Sequence, residues 1–416
     1  MKNLDLYSDE IAKCRVCNEK LSKIIDFGSQ PLGNGFLGKS EFKNEFFFPM
    51  KLGFSEKSKM IQLFHQPEPE RMFHDEYAFF SSTSKYMSKH FEDFSEFVIS
   101  SGYLEFKNPF VIELGCNDGI LLKNFALAGI KHLGIEPSVN VAKEANKNGV
   151  NTINEFFSEE LAKRILNQYG KVDAFMAANV MCHLPKISDV VRGIKILLKD
   201  KGVVIFEDPY LGDVIKKTSY DQIYDEHVFL FSAISVNYLF NLHGMELIDL
   251  YPQKTHGGSM RYVLSKKGAY KPSERVFETI KNEKILGLDN LEKFFEFSKK
   301  VEKSKHNLIT LLQELKDTGK VIAGYAATSK STTVLNYCGI GQNLIDYICD
   351  TTPIKQGKYS PGMHIPVVSH NYFINNPPDF ALLLAWNHSE EILEKEKNFI
   401  NRGGSWITHV PEVKII

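Results

Sequence analysis

Residues 110–119 read FVIELGCNDG, and this stretch decides the fold. An apolar strand of five residues runs directly into a loop bounded by Gly115 and Gly119, where a backbone without a Cβ can approach a ligand closely. The next strand-like segment, 131–135, ends in Glu136-Pro137, and Glu136 lies 21 residues beyond Gly115. A carboxylate at that spacing can accept both hydroxyl protons of a ribose. The stretch therefore predicts a nucleoside-containing cofactor at the first two strands of an α/β sheet.

The loop distinguishes between two such cofactors. A dinucleotide fingerprint, G-x-G-x-x-G, needs glycine at positions 117 and 120, where this chain has Asn117 and Ile120. Asp118 adds an acidic side chain, which disfavours a pyrophosphate and suits the ammonium group of a methionine moiety. The loop therefore favours S-adenosylmethionine over NAD. A glycine turn without any ligand is the third alternative. The spacing between the loop and Glu136 fits a bound nucleoside and therefore weighs against this alternative.

Outward from this stretch, strand and helix patterns alternate, as in a doubly wound sheet. Further strands are predicted at 172–178, 202–206 and around 245–250, and a long helix at 291–315 precedes a second α/β unit with strands at 320–323, 344–350 and 380–386. We therefore expect three domains: residues 1–68, 69–268 and 269–416. Asn179 and His183 follow the strand at 172–178, so both should lie at the cofactor edge of the sheet.

Composition excludes several classes of function. The 416 residues carry a net charge of −1 and are 43% hydrophobic and 24% charged, which is typical of a soluble enzyme rather than a nucleic-acid coat or a polybasic membrane anchor. No apolar run approaches the roughly 20 residues of a membrane span, and we read no signal peptide at the N-terminus. Of six cysteines only Cys14 and Cys17 are closely spaced. This usage predicts a reduced, cytoplasmic protein.

Titratable side chains are dense in the stretch YDQIYDEH at 220–227. Removal of a proton next to a ketone needs a base, and histidine, with an ordinary pKa of about 6.5, suits that part. His227 could be the base, Glu226 could orient its ring, and Tyr224 could donate to the developing enolate oxygen. Composition alone favours the alternative, a solvated acidic loop. His183 taken alone is equally well explained as a core histidine.

Motifs along nearly the whole chain make it resemble the sugar C-methyltransferases that build branched deoxysugars, including the tetronitrose-type C-3′-methyltransferases. None of these motifs is specific by itself, but together they are. They are Cys14-Arg15-Val16-Cys17, Gln30-Pro31-Leu32-Gly33-Asn34, Tyr77 with Ser81-Ser82, Glu113-Leu114-Gly115, Asn179-Val180 with His183, Asp221-Gln222-Ile223-Tyr224 with Glu226-His227, His256-Gly257-Gly258-Ser259 with Arg261, Lys355-Gln356-Gly357, Pro361-Gly362 and His364-Ile365-Pro366.

The resemblance implies a small zinc-binding-like module, a class I methyltransferase sheet and a C-terminal Rossmann-like domain. It implies a nucleotide-linked 4-keto-6-deoxysugar as substrate, with dTDP as the usual nucleotide; GDP or CDP, and methylation at C3 or C5, stay open. His227 would be the base. The residues that would line the reacting sugar are Tyr77, His183, Tyr224 and Glu226, and those that would bind the cofactor are Gly115, Asn117, Asp118, Gly119, Glu136, Pro137 and Asn179.

The rest of the substrate is expected at two further groups of residues. Small residues at 324–331 open a helix whose N-terminus can meet phosphate, although an ordinary strand-to-helix turn is the alternative. The predicted substrate-binding residues are His256, Gly257, Gly258, Ser259, Arg261, Thr328, Ser329, Lys330, Ser331, Asp350, Lys355 and His364.

One part of the chain departs from this resemblance. The related modules carry two Cys-x-x-Cys pairs for structural zinc, which needs four soft ligands. Counting back from residues 60–63 places the second pair on Ser55 and Ser58. His65 or His74 could complete a site, but their spacing offers no support. We therefore expect no structural zinc, and a module held by packing. Two rival functions are a nicotinamide-dependent sugar oxidoreductase, opposed by the loop at 115–119, and a non-catalytic paralogue, opposed by the intact residues 224–227.

Overall fold

A computed structural model describes residues 12–72, 85–105 and 107–416, and it contains three sheets. The N-terminal sheet is antiparallel, in the order β1-β2-β3-β9. Its last strand comes from far along the chain, so the module shares a sheet with the next domain. The strands are β1 (Ser22–Pro31), β2 (Phe47–Phe54), β3 (Ile61–Leu63) and β9 (Phe229–Leu230), and the helices that follow the module are α1 (Pro69–Met72) and α2 (Lys85–Ser100).

The central sheet has seven strands in the order β10-β11-β8-β7-β4-β5-β6, and only β11 is antiparallel to its neighbours. The strands are β4 (Phe110–Leu114), β5 (Lys131–Ile135), β6 (Thr152–Ile153), β7 (Val172–Ala178), β8 (Leu198–Pro209), β10 (Met245–Gln253) and β11 (Ser259–Lys266). The helices are α3 (Leu122–Leu127), α4 (Val139–Lys147), α5 (Glu159–Tyr169), α6 (Ile187–Leu197), α7 (Leu211–Lys217) and α8 (Ala233–Leu242).

Strand order reverses between β4 and β7 in this sheet, because the chain proceeds outward from β4 to β6 and then returns to β7 on the other side. Ligands of open α/β sheets bind at the carboxyl ends of the strands at such a reversal. The loop from Gly115 to Gly119 and the residues after Ala178 lie at that position. All five residues of β4 are buried, which explains why four of them are apolar and why apolar and polar residues do not alternate along the strand.

The C-terminal domain repeats this plan in a six-stranded sheet, β14-β13-β12-β15-β16-β17, which is parallel except for β17. Its strands are β12 (Ile322–Tyr325), β13 (Tyr347–Cys349), β14 (Val367–Val368), β15 (Phe380–Leu383), β16 (Ser405–Thr408) and β17 (Lys414–Ile415). Its helices are α9 (Glu274–Ile285), α10 (Leu291–Asp317), α11 (Ser329–Cys338), α12 (His370–Asn375), α13 (Ser389–Lys395) and α14 (Lys397–Asn401). Strand order reverses at β12, directly before α11.

Aromatic contacts join the N-terminal module to the C-terminal helices. The rings of Phe54 and Phe294 lie 4.9 Å apart, as do those of Phe27 and Tyr337. The predicted α/β class is confirmed, although the strands at 344–350 and 380–386 are shorter than predicted and that at 202–206 is longer. Among the described helices, none combines the length and the apolar composition that crossing a bilayer requires.

Candidate active site

The glycine loop after β4 forms a close-fitting cradle. Gly115 has φ 67° and Gly119 has φ 82°. A Cβ on Gly115 would lie 2.4 Å from a methyl group of Val180, so no larger residue fits there. Asn117, with φ 48°, donates its backbone N–H to Glu136 Oε2 at 3.0 Å. The loop and the end of β5 therefore meet, as the spacing predicted.

Carboxyl groups make this end of the sheet acidic. Burial raises the pKa of Glu136, while N–H donors from Ser138 and Asn117 act in the other direction. Beneath it, burial raises the pKa of Glu113 well above its ordinary value, and Glu136 and Asp118 raise it further. Asn154 holds the turn by donating to the carbonyl oxygens of Glu136 and Pro137. This acidic cradle suits a cofactor with a sulfonium and an ammonium group, and it disfavours a pyrophosphate.

Asn179 and His183 lie after β7, at the neighbouring strand end. Asn179 has φ 56° and donates its backbone N–H to the carbonyl oxygen of Glu207 at 2.7 Å. A short 3-10 turn, Met181–His183, then brings the His183 ring to 5.3 Å from the His227 ring. Burial lowers the pKa of His183 to about 4, so this imidazole is neutral near pH 7.

Both ring nitrogens of His227 have partners that define its tautomer. Nδ1 lies 2.8 Å from the carbonyl oxygen of Gln222, and because a carbonyl only accepts, Nδ1 carries the proton. Nε2 is then the basic nitrogen, and the Tyr224 hydroxyl donates to it at 2.8 Å. The ring is thus oriented at Nδ1 by a backbone carbonyl, whereas the sequence suggested Glu226 for this part. Burial, followed by the charges of His183 and Lys330, lowers the pKa of His227 well below its usual value.

A group of three potential metal ligands also lies here. Ligand atoms of Cys182, His183 and His227 lie within 4.8 Å of one another, and this is the one such group within residues 12–72, 85–105 and 107–416. Both nitrogens of His227 are already hydrogen-bonded, and burial and Asp208 raise the pKa of the Cys182 thiol well above its ordinary value. A neutral thiol is a poor ligand, so these residues fit acid–base chemistry better than metal binding.

Lys330 lies in the first turn of α11, with Thr328 as the N-cap. Its ammonium group is buried, and the described part of the chain offers it no hydrogen-bond partner. Burial lowers the pKa of Lys330 to about 8, against the opposing charge of Asp221. A buried, unpaired cation at a helix N-terminus is suited to an anion. Ser329 and Ser331 flank it, and Ser331 Oγ donates to the carbonyl oxygen of Thr328.

The turn at 256–259 packs against the C-terminal domain and against α7 of its own domain. Gln222 donates to the carbonyl oxygen of His256 at 2.5 Å. A Cβ on Gly257 would lie 2.1 Å from the Trp386 ring, and one on Gly258 would lie 2.2 Å from a carboxylate oxygen of Asp213. The two glycines are therefore required by packing. Ser259 Oγ donates to the carbonyl oxygen of Thr255, within the same turn.

Four other predicted substrate residues have protein partners. Arg261 forms a buried ion pair with Glu207 at 2.5 Å and stacks on Phe94 and Phe97 of α2. His364 pairs with Glu45 of the N-terminal module at 2.7 Å. Asp350 accepts from two backbone N–H groups, that of Ala327 in the loop after β12 and that of Thr352 in the loop after β13, and Lys355 donates to the carbonyl oxygen of Ala327. These residues shape the loops and joints, and their assignment to substrate stays a prediction. Tyr77, with Ser81 and Ser82, lies outside the described residues.

The N-terminal module brings the four expected zinc-ligand positions together but has cysteine at only two of them. Cys14 Sγ lies 3.2 Å from Ser58 Oγ, and Cys17 Sγ lies 3.3 Å from Ser55 Oγ. The count back from residues 60–63 is therefore confirmed in register. Zinc sites of this class use four thiolate or imidazole ligands, and two serine hydroxyls are not equivalent donors. The four side chains do not fit structural zinc.

Comparisons with known proteins match the chain in three consecutive segments. Three family models match: a putative zinc binding domain at residues 14–73, a methyltransferase domain at 85–250 and a C-methyltransferase C-terminal domain at 254–411. The C-methyltransferase NovU of Streptomyces niveus is 31% identical over 409 residues, which cover 98% of this chain and 97% of NovU.

Solved structures are similar at lower identity. Magnesium protoporphyrin IX methyltransferase of Synechocystis PCC 6803, with bound SAM, is 15% identical; the match covers 43% of this chain and 79% of that chain, with a TM-score of 0.33. The PH0226 protein of Pyrococcus horikoshii OT3 is also 15% identical, covering 49% and 100% respectively, with a TM-score of 0.37.

Proposed function

The chain belongs to the C-methyltransferase family and uses S-adenosylmethionine, and from this premise we propose that it methylates the carbon next to the ketone of a nucleotide-linked keto-deoxysugar. The observation that carries the proposal is the hydrogen-bonded pair of Tyr224 and His227, whose basic Nε2 lies in a buried site at the cofactor edge of the central sheet. The lone ammonium of Lys330 supports a substrate with a diphosphate.

Residues of the chain can hold both reactants. Gly115, Asn117 and Gly119 would cradle the methyl donor, and Glu136 would accept from its ribose. The donor supplies an electrophilic methyl group when it is bound. Lys330, with the N-terminal turn of α11, would bind the diphosphate, which leaves the sugar ring toward His227.

His227 Nε2 would take the proton from the carbon next to the ketone. Tyr224 must release its hydrogen bond to Nε2 for this step, and its hydroxyl can then donate to the enolate oxygen that develops. The loop at 115–119 would hold the methyl donor so that its methyl group can pass to the enolate carbon, with the electron pair of the broken sulfur–carbon bond remaining on the sulfur. The Gln222 carbonyl keeps the imidazolium in place through Nδ1.

Substrate binding would raise the basicity of His227. In the free protein, positive charge at Lys330 contributes to its low pKa. A diphosphate bound to Lys330 brings negative charge that offsets this effect, so proton abstraction becomes easier once the nucleotide is in place.

Turnover tests the proposal directly. The purified protein is incubated with S-adenosylmethionine bearing a labelled methyl group and with dTDP-, GDP- or CDP-linked 4-keto-6-deoxyhexoses. We expect one labelled methyl group on a carbon of one of these sugars, found by mass spectrometry and located by NMR. Label on oxygen, or no transfer to any member of the panel, would contradict the proposed substrate class.

A further inference from the structure

A turn of the N-terminal module reaches the loop that carries His227. The backbone N–H of Gly33 donates to both carboxylate oxygens of Asp225, at 3.1 Å each. The side-chain amide of Asn34 donates to Glu226 Oε1 at 2.8 Å, across 192 residues of sequence. Asp225 and Glu226 are only 3% and 4% exposed, so these donors satisfy carboxylates that water scarcely reaches.

The C-terminal domain holds the other side of the same turn. Thr332 Oγ1 donates to the carbonyl oxygen of Gly33 at 2.9 Å. A Cβ on Gly33 would lie 2.7 Å from Asp225 Oδ1 and 3.1 Å from the Ser329 Cβ, so this approach requires glycine. Thr333 Oγ1 also donates to the carbonyl oxygen of Ile223, two residues before Asp225. The turn is thus fixed between the two larger domains.

Several titratable groups surround Glu226. Asp225 and His227 are its chain neighbours, and the buried Cys182 thiol faces it from the turn after β7. Lys355 approaches from the C-terminal domain; burial lowers the pKa of this lysine, while Asp350 and Glu226 act to raise it. Asn34 is a neutral donor to Glu226, and its N–H favours the ionised form of the carboxyl group that it contacts.

We propose that Asn34 is a positioning residue for methyl transfer, which holds Glu226 ionised and correctly oriented beside His227. The N-terminal module is then part of the active site, and its place there does not depend on any metal. This role rests on the proposed function, because it acts through a residue assigned to line the sugar. The contact that carries it is independent of that assignment.

The first test needs no substrate. Carboxyl-¹³C glutamate is incorporated, and the Glu226 signal is assigned by its loss in Glu226→Gln. In Asn34→Ala the pKa of Glu226 should rise by about one unit or more, because a donor to the charged form is lost. In Asn34→Asp it should rise further, because two carboxyl groups must then share the site. Asn44→Asp adds the same charge at an exposed position of the same module and should change nothing.

The second test is kinetic, with the methyl donor and the keto-sugar nucleotide that the wild type methylates. Asn34→Ala should lower kcat about 10- to 100-fold, the effect of one hydrogen bond to a charged group, with KM for the methyl donor unchanged. In Asn34→Asp the acidic limb of the pH profile should move to higher pH. Melting temperatures of all variants are measured, because a merely structural residue would alter stability without moving this limb.

Wild-type titration of Glu226 in Asn34→Asp, or full kcat in Asn34→Ala, would overturn the inference. Failure of the wild type to methylate any sugar would contradict the proposed function instead. The titration test would then still decide whether Asn34 controls Glu226.

Discussion

The two turns of the N-terminal module that carry the expected zinc-ligand positions differ from the loop at 220–227 in their side chains. The module lacks two of its four expected ligands, whereas the loop has all of its expected reactive residues. In the module, Cys14 to Asn18 and Ser55 to Lys59 form the same turn: the fifth residue donates to the carbonyl of the first at 2.8 Å in both, with φ near 60°. The backbone is retained while two of four ligands are serines. In the loop, both backbone and reactive side chains are held by contacts from all three domains.

This difference shows that the backbone geometry of a site can be present without its reactive side chains. The turns of the module are stabilised by their own hydrogen bonds and by an apolar core that includes Phe54 and Leu63, so we expect the module to fold without a metal. Loss of His227 would leave the loop without its proposed base, and loss of Tyr224 would leave that base without its hydrogen-bond partner. A retained backbone therefore indicates ancestry, and only the side chains indicate activity.

The largest expected effect comes from adding the two missing cysteines to the N-terminal module. Ser55→Cys combined with Ser58→Cys should yield one tightly bound zinc per chain, because the turns already place four side chains together and four thiolates bind zinc strongly. Elemental analysis after dialysis should find far less than one zinc in the wild type. Chelation should lower the melting temperature of the double variant alone.

A matched control adds two thiols elsewhere. Ser29→Cys with Ser40→Cys places them on exposed positions of the same module and should gain no zinc. Stoichiometric zinc in the dialysed wild type would mean that the serines, or His65 and His74, complete a site after all.

The second prediction concerns removal of the proposed base from the loop at 220–227. His227→Asn preserves much of the shape of the ring but removes the basic Nε2, so kcat should fall about 10²- to 10⁴-fold with little change in substrate affinity. The wild type should exchange the substrate α-hydrogen with solvent deuterium when a non-reactive donor analogue is bound, and the variant should not.

His183 is the competing base, since its ring lies 5.3 Å from that of His227. If His227→Asn exchanges deuterium normally while His183→Asn does not, the assignment of the base is reversed. The low pKa of both rings makes this comparison necessary, because either can act as a neutral base near pH 7.

Sequence predicted those parts of the molecule in which local pattern and tertiary structure agree. The strand at 110–114, its glycine loop and Glu136 were found because each has a local signature. β9 was missed because a strand of two residues has no periodicity. The contact of Asn34 with Glu226 was missed because it joins residues 192 apart, and the motif around Asn34 served only as a family marker.

Arg261 and His364 show a second limit of the sequence pattern. Their motifs assign both to substrate, and the structure pairs them with Glu207 and Glu45. Contact with the substrate therefore stays a prediction for both. The two protein partners could not be predicted from the motifs, because each partner lies far away in sequence.

A third prediction concerns the cofactor loop at 115–119 and Glu136, where the expected backbone and the expected side chains are both present. Glu136→Ala removes the proposed ribose acceptor, and a hydrogen bond to a charged group contributes about 1.5–3 kcal/mol. Affinity for the methyl donor should fall about 10- to 100-fold in calorimetry. Glu144→Ala, on the exposed face of α4, is the control and should bind normally. Unchanged affinity in Glu136→Ala would mean that Glu136 does not contact the ribose.

The smallest expected effect concerns Lys330, which lies in the first turn of α11 in the C-terminal domain. Lys330 has a pKa of about 8 in the free protein, so it is charged at pH 7 and loses that charge as pH rises through 8. A terminal phosphate, with a pKa near 6, is already mostly ionised at pH 7, so its own titration cannot weaken binding as the pH rises. Affinity for dTDP should therefore fall between pH 7 and pH 9.

Lys330→Met should bind dTDP about tenfold more weakly at pH 7 and lose this pH dependence, because one charge-assisted contact is absent at every pH. Lys414→Met removes an equal charge from an exposed strand and should leave both the affinity and its pH dependence unchanged. A Lys330→Met protein that still weakens between pH 7 and pH 9 would show that another group carries the titration, and that the buried ammonium does not meet the phosphate.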